Sequence, residues 1–76
     1  LSPKLPVIKA RQLIKVAKKL GFEIDRQSGS HAIYYRKSDK RRIVVPLHIG
    51  KDIKPKTLHG IIRDMNLEID EFKKLL

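Results

Sequence analysis

Cysteine and tryptophan are absent from this 76-residue sequence, and acidic side chains are scarce. Without cysteine there is no disulfide framework, no thiolate nucleophile and no zinc ribbon. No apolar run approaches the roughly 20 residues needed to span a bilayer, and the opening residues lack the continuous apolar stretch of a signal peptide. The expected setting is therefore cytoplasmic, with no membrane partner. So short a chain predicts a single domain over residues 1–76, with a small core and modest stability.

What the sequence has in excess is positive charge. Eighteen Lys and Arg stand against eight Asp and Glu, a formal net charge of +10 at pH 7. A field of that sign draws in polyanions and speeds their encounter, with strong salt dependence. Nucleic acid is the expected partner. An anionic membrane surface fits less well, because the basic residues are spread over helices and turns instead of lining one amphipathic helix.

Residues 1–8 hold Pro3 and Pro6 and read as an extended lead-in. Ala10, Leu13, Ile14, Ala17 and Leu20 recur at helical spacing, predicting a helix over 9–20 with Arg11, Lys15, Lys18 and Lys19 largely off its apolar stripe. Gly21 supplies a left-handed cap. The alternation from Phe22 to Arg26 predicts a half-buried strand over 22–27, and Ser28-Gly29-Ser30 turns the chain into a second strand over 31–36. Lys37 to Lys40 makes another polar turn before a third strand over 42–47, where Pro46 marks an edge or an end.

Pro55 suits the first turn of a helix over 55–65 carrying Leu58, Ile61, Ile62 and Met65. A short helix over 68–75 follows, with Glu68, Asp70 and Glu71 near its positive end. Short turns between consecutive strands imply an antiparallel meander, so the order predicts an α+β domain. Its three-stranded antiparallel sheet carries the helices on one face and leaves the other open.

Candidate chemistry concentrates between Gln27 and Arg36. His31 stands where a turn becomes a strand, held by a rigid element yet open to solvent, a suitable position for proton transfer. Strand parity puts His31, Ile33 and Tyr35 on one face and Ala32, Tyr34 and Arg36 on the other. With Ala32 and Tyr34 under the helices, the imidazole faces outward, although Ile33 is more apolar than Ala32. Either tyrosine can stack on a base, with core packing expected for one of them. His59 reads as an exposed passenger. The three histidines lack zinc-ligand spacing, so no metal and no cofactor are expected.

The ordered set Gly21-Phe22, Gln27-Ser28-Gly29-Ser30-His31, Val45-Pro46-Leu47-His48, Ile53-Lys54-Pro55-Lys56-Thr57-Leu58 and Ile61-Ile62 resembles the HicA family of mRNA-cleaving toxins. The similarity runs from about residue 7 to the C-terminus. It implies a fold like the double-stranded-RNA-binding domain, α-β-β-β-α with a short C-terminal helix. It further implies a metal-independent endoribonuclease (an mRNA interferase) of a type II toxin–antitoxin system, with His31 as essential residue and Gly29 and Ser30 shaping the turn before it. The implied protein partner is a HicB-like antitoxin, and an open sheet face bearing Ile33 would suit an acidic one. His48 falls within the matching pattern without an assigned catalytic role. Leu1 to Pro6, with no initiator Met, departs from that pattern but does not touch the site.

The chemistry has its own logic. RNA carries a nucleophile, the ribose 2′-OH, beside each phosphate. One base or acid such as His31, together with cations on the phosphate, can cleave it. Lys40, Arg41 and Arg42 in the neighbouring turn, expected across a hairpin from His31, and Lys51, Lys54 and Lys56 are the candidate phosphate holders. The competing readings are a non-catalytic RNA-binding module and an adaptor whose charge serves an acidic protein.

Overall fold

In a computed structural model, residues 4–76 are described, so the first three residues of the expected lead-in lie outside the described part. The elements in order are α1 (Ala10–Lys19), β1 (Glu23–Ser28), β2 (His31–Arg36), β3 (Arg41–Pro46), α2 (Pro55–Asp64) and α3 (Ile69–Lys74). The strands form one antiparallel sheet in the order β1-β2-β3. This is the expected α+β arrangement of the double-stranded-RNA-binding type. Among the described residues no helix is long and apolar enough to cross a membrane.

Local chemistry explains the element ends. Leu20 caps α1, the Gly21 N–H donates to the Lys18 carbonyl (3.1 Å) and the Phe22 N–H to the Ala17 carbonyl (3.0 Å). That paired closure needs a left-handed residue after the cap, and Gly21 supplies it at φ 90°. Asn66 does the same for α2 at φ 64°, with the Asn66 N–H on the Arg63 carbonyl and the Leu67 N–H on the Ile62 carbonyl. The β1–β2 loop is the two residues Gly29-Ser30, with Gly29 at φ 56° in the first central position, where a tight hairpin turn of this hand requires a residue without a Cβ clash.

The core lies between the helices and one face of β2 and β3. Ala32 sits opposite Val45 and Tyr34 opposite Ile43, and all four are buried against Leu13, Val16 and Ala17 of α1 and Leu58, Ile61 and Ile62 of α2. Phe72 brings α3 onto the same core, fully buried. Strand parity therefore falls as expected, with Ala32 and Tyr34 inward and His31, Ile33 and Tyr35 outward.

β1 departs from the half-buried strand read from its alternation. Every residue of Glu23–Ser28 is exposed, and Ile24 keeps 55% of its surface. The helices lie over β2 and β3, so β1 is an edge strand whose inner side meets solvent. The buried apolar residue at that end of the chain is Phe22, just before the strand. The register also shifts between Ile24 and Arg26, a bulge at Asp25 of the kind that blunts strand edges.

Arg36 fastens the helices to the sheet. Its guanidinium donates to the carbonyls of Leu20 (3.1 Å) and Met65 (3.3 Å), the C-caps of α1 and α2, and lies 4.5 Å from the centroid of the Phe22 ring. Nε and Nη2 also reach the two carboxylate oxygens of Asp39 at 2.9 and 2.8 Å. A cation is well placed at helix C-termini, where unpaired carbonyls collect partial negative charge.

Candidate functional site

His31 opens β2 opposite Pro46, and its side chain is exposed. It lines a depression of about 650 Å³ together with Val44, Pro46, His48, Lys51, Asp52, Ile53, Lys54 and Thr57. Four segments meet there, namely the start of β2, the end of β3, the loop after it and the beginning of α2. The loop is anchored at both ends. The Leu47 N–H donates to the Ser30 carbonyl at 2.6 Å, and the Ile53 N–H donates to the Ile8 carbonyl at 2.9 Å. Lys9 pairs with Asp52 across an isolated bridge, Nζ to Oδ1 at 2.9 Å.

The depression is cationic. Asp52 is its one carboxylate and is already met by Lys9. Among the described residues neither Lys51 nor Lys54 makes an ion pair. The opening turn of α2 adds to this field. Its N-cap is Lys54, with no side chain accepting from its free N–H groups and no acid in the first turn. Unpaired N–H groups at a helix start carry partial positive charge and favour an anion. Thr57 adds a hydroxyl in that same turn.

The structure therefore brings His31, His48, Lys51 and Lys54 together, with Gly29 and Ser30 forming the turn that ends at His31. Lys56 lies exposed on the first turn of α2, outside the lining of the depression.

Lys40, Arg41 and Arg42 are not brought to His31. In the β2–β3 ladder His31 pairs with Pro46, whereas Arg41 pairs with Arg36 at the opposite end. Five residues of strand put roughly 17 Å between those ends. The expectation that the pair lies across the hairpin from His31 is thus corrected by register, because the loop leaving β2 is at the far end from the loop entering it.

The arginines there have other work. Arg41 holds Asp39 (Nε to Oδ2, 3.1 Å) and donates to the Asp64 carbonyl at 3.4 Å. Arg42 lies over the Tyr35 ring at 5.0 Å from its centroid, with Asp25 at 3.9 Å. The hydrogen bonds from Arg36, more than the accompanying charge attraction and the Arg41 N–H, lower the Asp39 carboxyl to about 2. The same bond raises Arg36 above its ordinary value. Lys40 is exposed at φ 57° in the β2–β3 loop.

Thr57, which falls in the family-like motif but is not among the expected site residues, also lines the depression. Its signal is local: with Pro55 as the first helical residue, position 57 lies in the first turn, where side chains flank the helix's positive end.

A family model described as the HicA toxin of bacterial toxin–antitoxin matches residues 10–67, well over half of the chain. The chain belongs to the HicA toxin family. As a HicA toxin it is one half of a toxin–antitoxin pair, and a cognate antitoxin is its partner. The matched span of this HicA chain covers α1, the whole sheet, the loop after β3 and α2, and so contains every residue lining the His31 depression. No curated protein matches the chain.

Proposed function

We propose that the protein is a metal-independent endoribonuclease that cuts mRNA in the cytoplasm and is held inactive by a HicB-like antitoxin. The observation that supports this reading is the meeting of two imidazoles and two lysines, neither ion-paired among the described residues, in one open depression beside the start of α2. An imidazole changes charge near neutral pH and can both take and give a proton.

The step needs no external nucleophile. His31 takes the proton of the ribose 2′-OH, and the 2′ oxygen forms a bond to phosphorus. The bond from phosphorus to the 5′ oxygen breaks, and His48, as imidazolium, gives that oxygen a proton. The products are a 2′,3′-cyclic phosphate and a 5′-hydroxyl. Lys51, Lys54 and the first N–H groups of α2 carry the charge that builds on the phosphate oxygens. Metal assistance is not required by this route, and among the described residues no cluster of three His, Cys, Asp or Glu side chains is placed to hold an ion.

Incubation of the purified protein with a defined RNA tests the reading, with His31→Ala alongside, excess EDTA in one arm and product ends mapped. Cyclic-phosphate ends from the wild type alone, with or without EDTA, support it. RNA that binds and stays whole favours a non-catalytic RNA-binding module, and equal cleavage by His31→Ala removes the imidazole from the chemistry.

A further inference from the structure

A second depression, of about 740 Å³, runs between α1 and the segment 47–50, with His48 as a wall shared with the His31 depression. We propose that it is a docking groove for an acidic amphipathic helix of a partner protein.

Its floor is aliphatic, made by Ala10, Ile14 and Leu47, with Ile49 standing at its edge. Ile49 is wholly exposed, at 100%, although the turn that carries it is closed by the Lys51 N–H on the His48 carbonyl at 3.1 Å. A branched apolar side chain held out to water by an ordered turn has no role in this fold. Its transfer out of water is favourable only when something covers it.

The rim is cationic throughout. Arg11, Lys15 and Lys18 stand on α1 at spacings of four and three residues, a single row about 10 Å long. No acid lines the groove, and Lys9 at its end is met by Asp52.

Apolar floor and basic rim together select the occupant. Single-stranded nucleic acid matches the charge but stacks its bases on aromatic faces, and this lining has none beyond His48. A helix with Leu, Ile or Val along one stripe and Glu or Asp flanking it matches both features, laid along α1 so that its acids meet the row of cations. The groove offers no strand edge, which disfavours an added strand. An occupant would lie against His48 and neutralise charge beside the depression. That consequence for cleavage rests on the nuclease reading, whereas the docking itself does not.

The test uses a synthetic 15-residue helical peptide with a leucine stripe flanked by glutamates, a scrambled peptide of equal composition, and a short single-stranded RNA. Amide chemical-shift mapping and anisotropy titration read binding, and a separate assay reads RNA cleavage. The designed peptide is expected to shift residues 10–18 and 47–50. Ile49→Ser should weaken it about tenfold or more without altering the fold, and Lys15→Glu with Lys18→Glu should weaken it further. Cleavage by the wild type should slow as the groove fills. Equal binding of the scrambled peptide, unchanged affinity in Ile49→Ser, shifts confined to the open sheet face, or RNA that depends on Ile49 as the peptide does would each overturn the groove. Binding without any RNA cleavage leaves the groove standing and removes the nuclease reading; cleavage without peptide binding does the reverse.

Discussion

His31 faces Pro46 across the β2–β3 ladder, and one residue beyond that proline the Leu47 N–H locks onto the Ser30 carbonyl at 2.6 Å. The imidazole is thus carried on a closed strand end while its ring stays exposed. His31→Ala removes little packing, so stability should stay within about 0.5 kcal/mol of wild type. RNA affinity should change by less than a few fold, and cleavage should fall by about 10²-fold or more. Parallel thermal melts, binding titrations and product analysis separate these outcomes.

His48 shares the depression with His31. If the two act as base and acid, cleavage plotted against pH is bell-shaped and His48→Gln loses one limb, keeping a one-sided profile at reduced rate. A His48→Gln profile that keeps both limbs would assign the acid elsewhere.

Lys51 and Lys54 sit at the depression, while Lys40 and Arg41 stand at the far end of the ladder. Each glutamine substitution at 51 or 54 should reduce the slope of log affinity against log salt by about 1, as loss of one phosphate contact does. Lys40→Gln should leave that slope nearly unchanged. Equal effects at both ends would mean that RNA runs the length of the sheet.

Arg36 joins two helix C-caps, a ring and a carboxylate, with its side chain 16% exposed. Arg36→Met should destabilise by about 2–4 kcal/mol, since several charge-assisted bonds go at once and two carbonyls lose a donor. Arg36→Lys should recover only part, because an ammonium lacks the planar fork that meets both Asp39 oxygens. Urea unfolding measures both.

Asp39 is held at about 2, below its ordinary 3.8. Between those values the unfolded chain takes up more protons at this carboxyl than the folded one does. The stabilisation is therefore complete above about pH 4 and is lost as pH falls toward 2. Asp39→Asn should be less stable than wild type at neutral pH, and the gap should close across that window. A gap that stays constant down to pH 2 would contradict the assignment.

Helices and turns were legible because their signals are local. The apolar stripes, Gly21, Gly29 and Pro55 each do their work within one turn of chain. Strand parity was legible too, since a period of two leaves one choice once Ala32 and Tyr34 are placed under the helices. The exposure of Ile24 was not, because alternation in β1 cannot say how far sideways the helices reach over the sheet. The placement of Lys40, Arg41 and Arg42 failed for a different reason. An antiparallel hairpin sends the loop after β2 away from the residue that begins it, so turns that are neighbours in sequence lie apart in space. The groove beside α1 was invisible for want of any link in sequence between Ile14 and Ile49.

The tie-down made by Arg36 lies a full strand length from His31, so replacing that imidazole need not loosen the molecule. On the proposed reading, a His31→Ala copy would be inactive yet keep its shape and, with it, whatever surface its antitoxin recognises. Inside a cell such a silent copy would soak up antitoxin, leaving active copies less restrained.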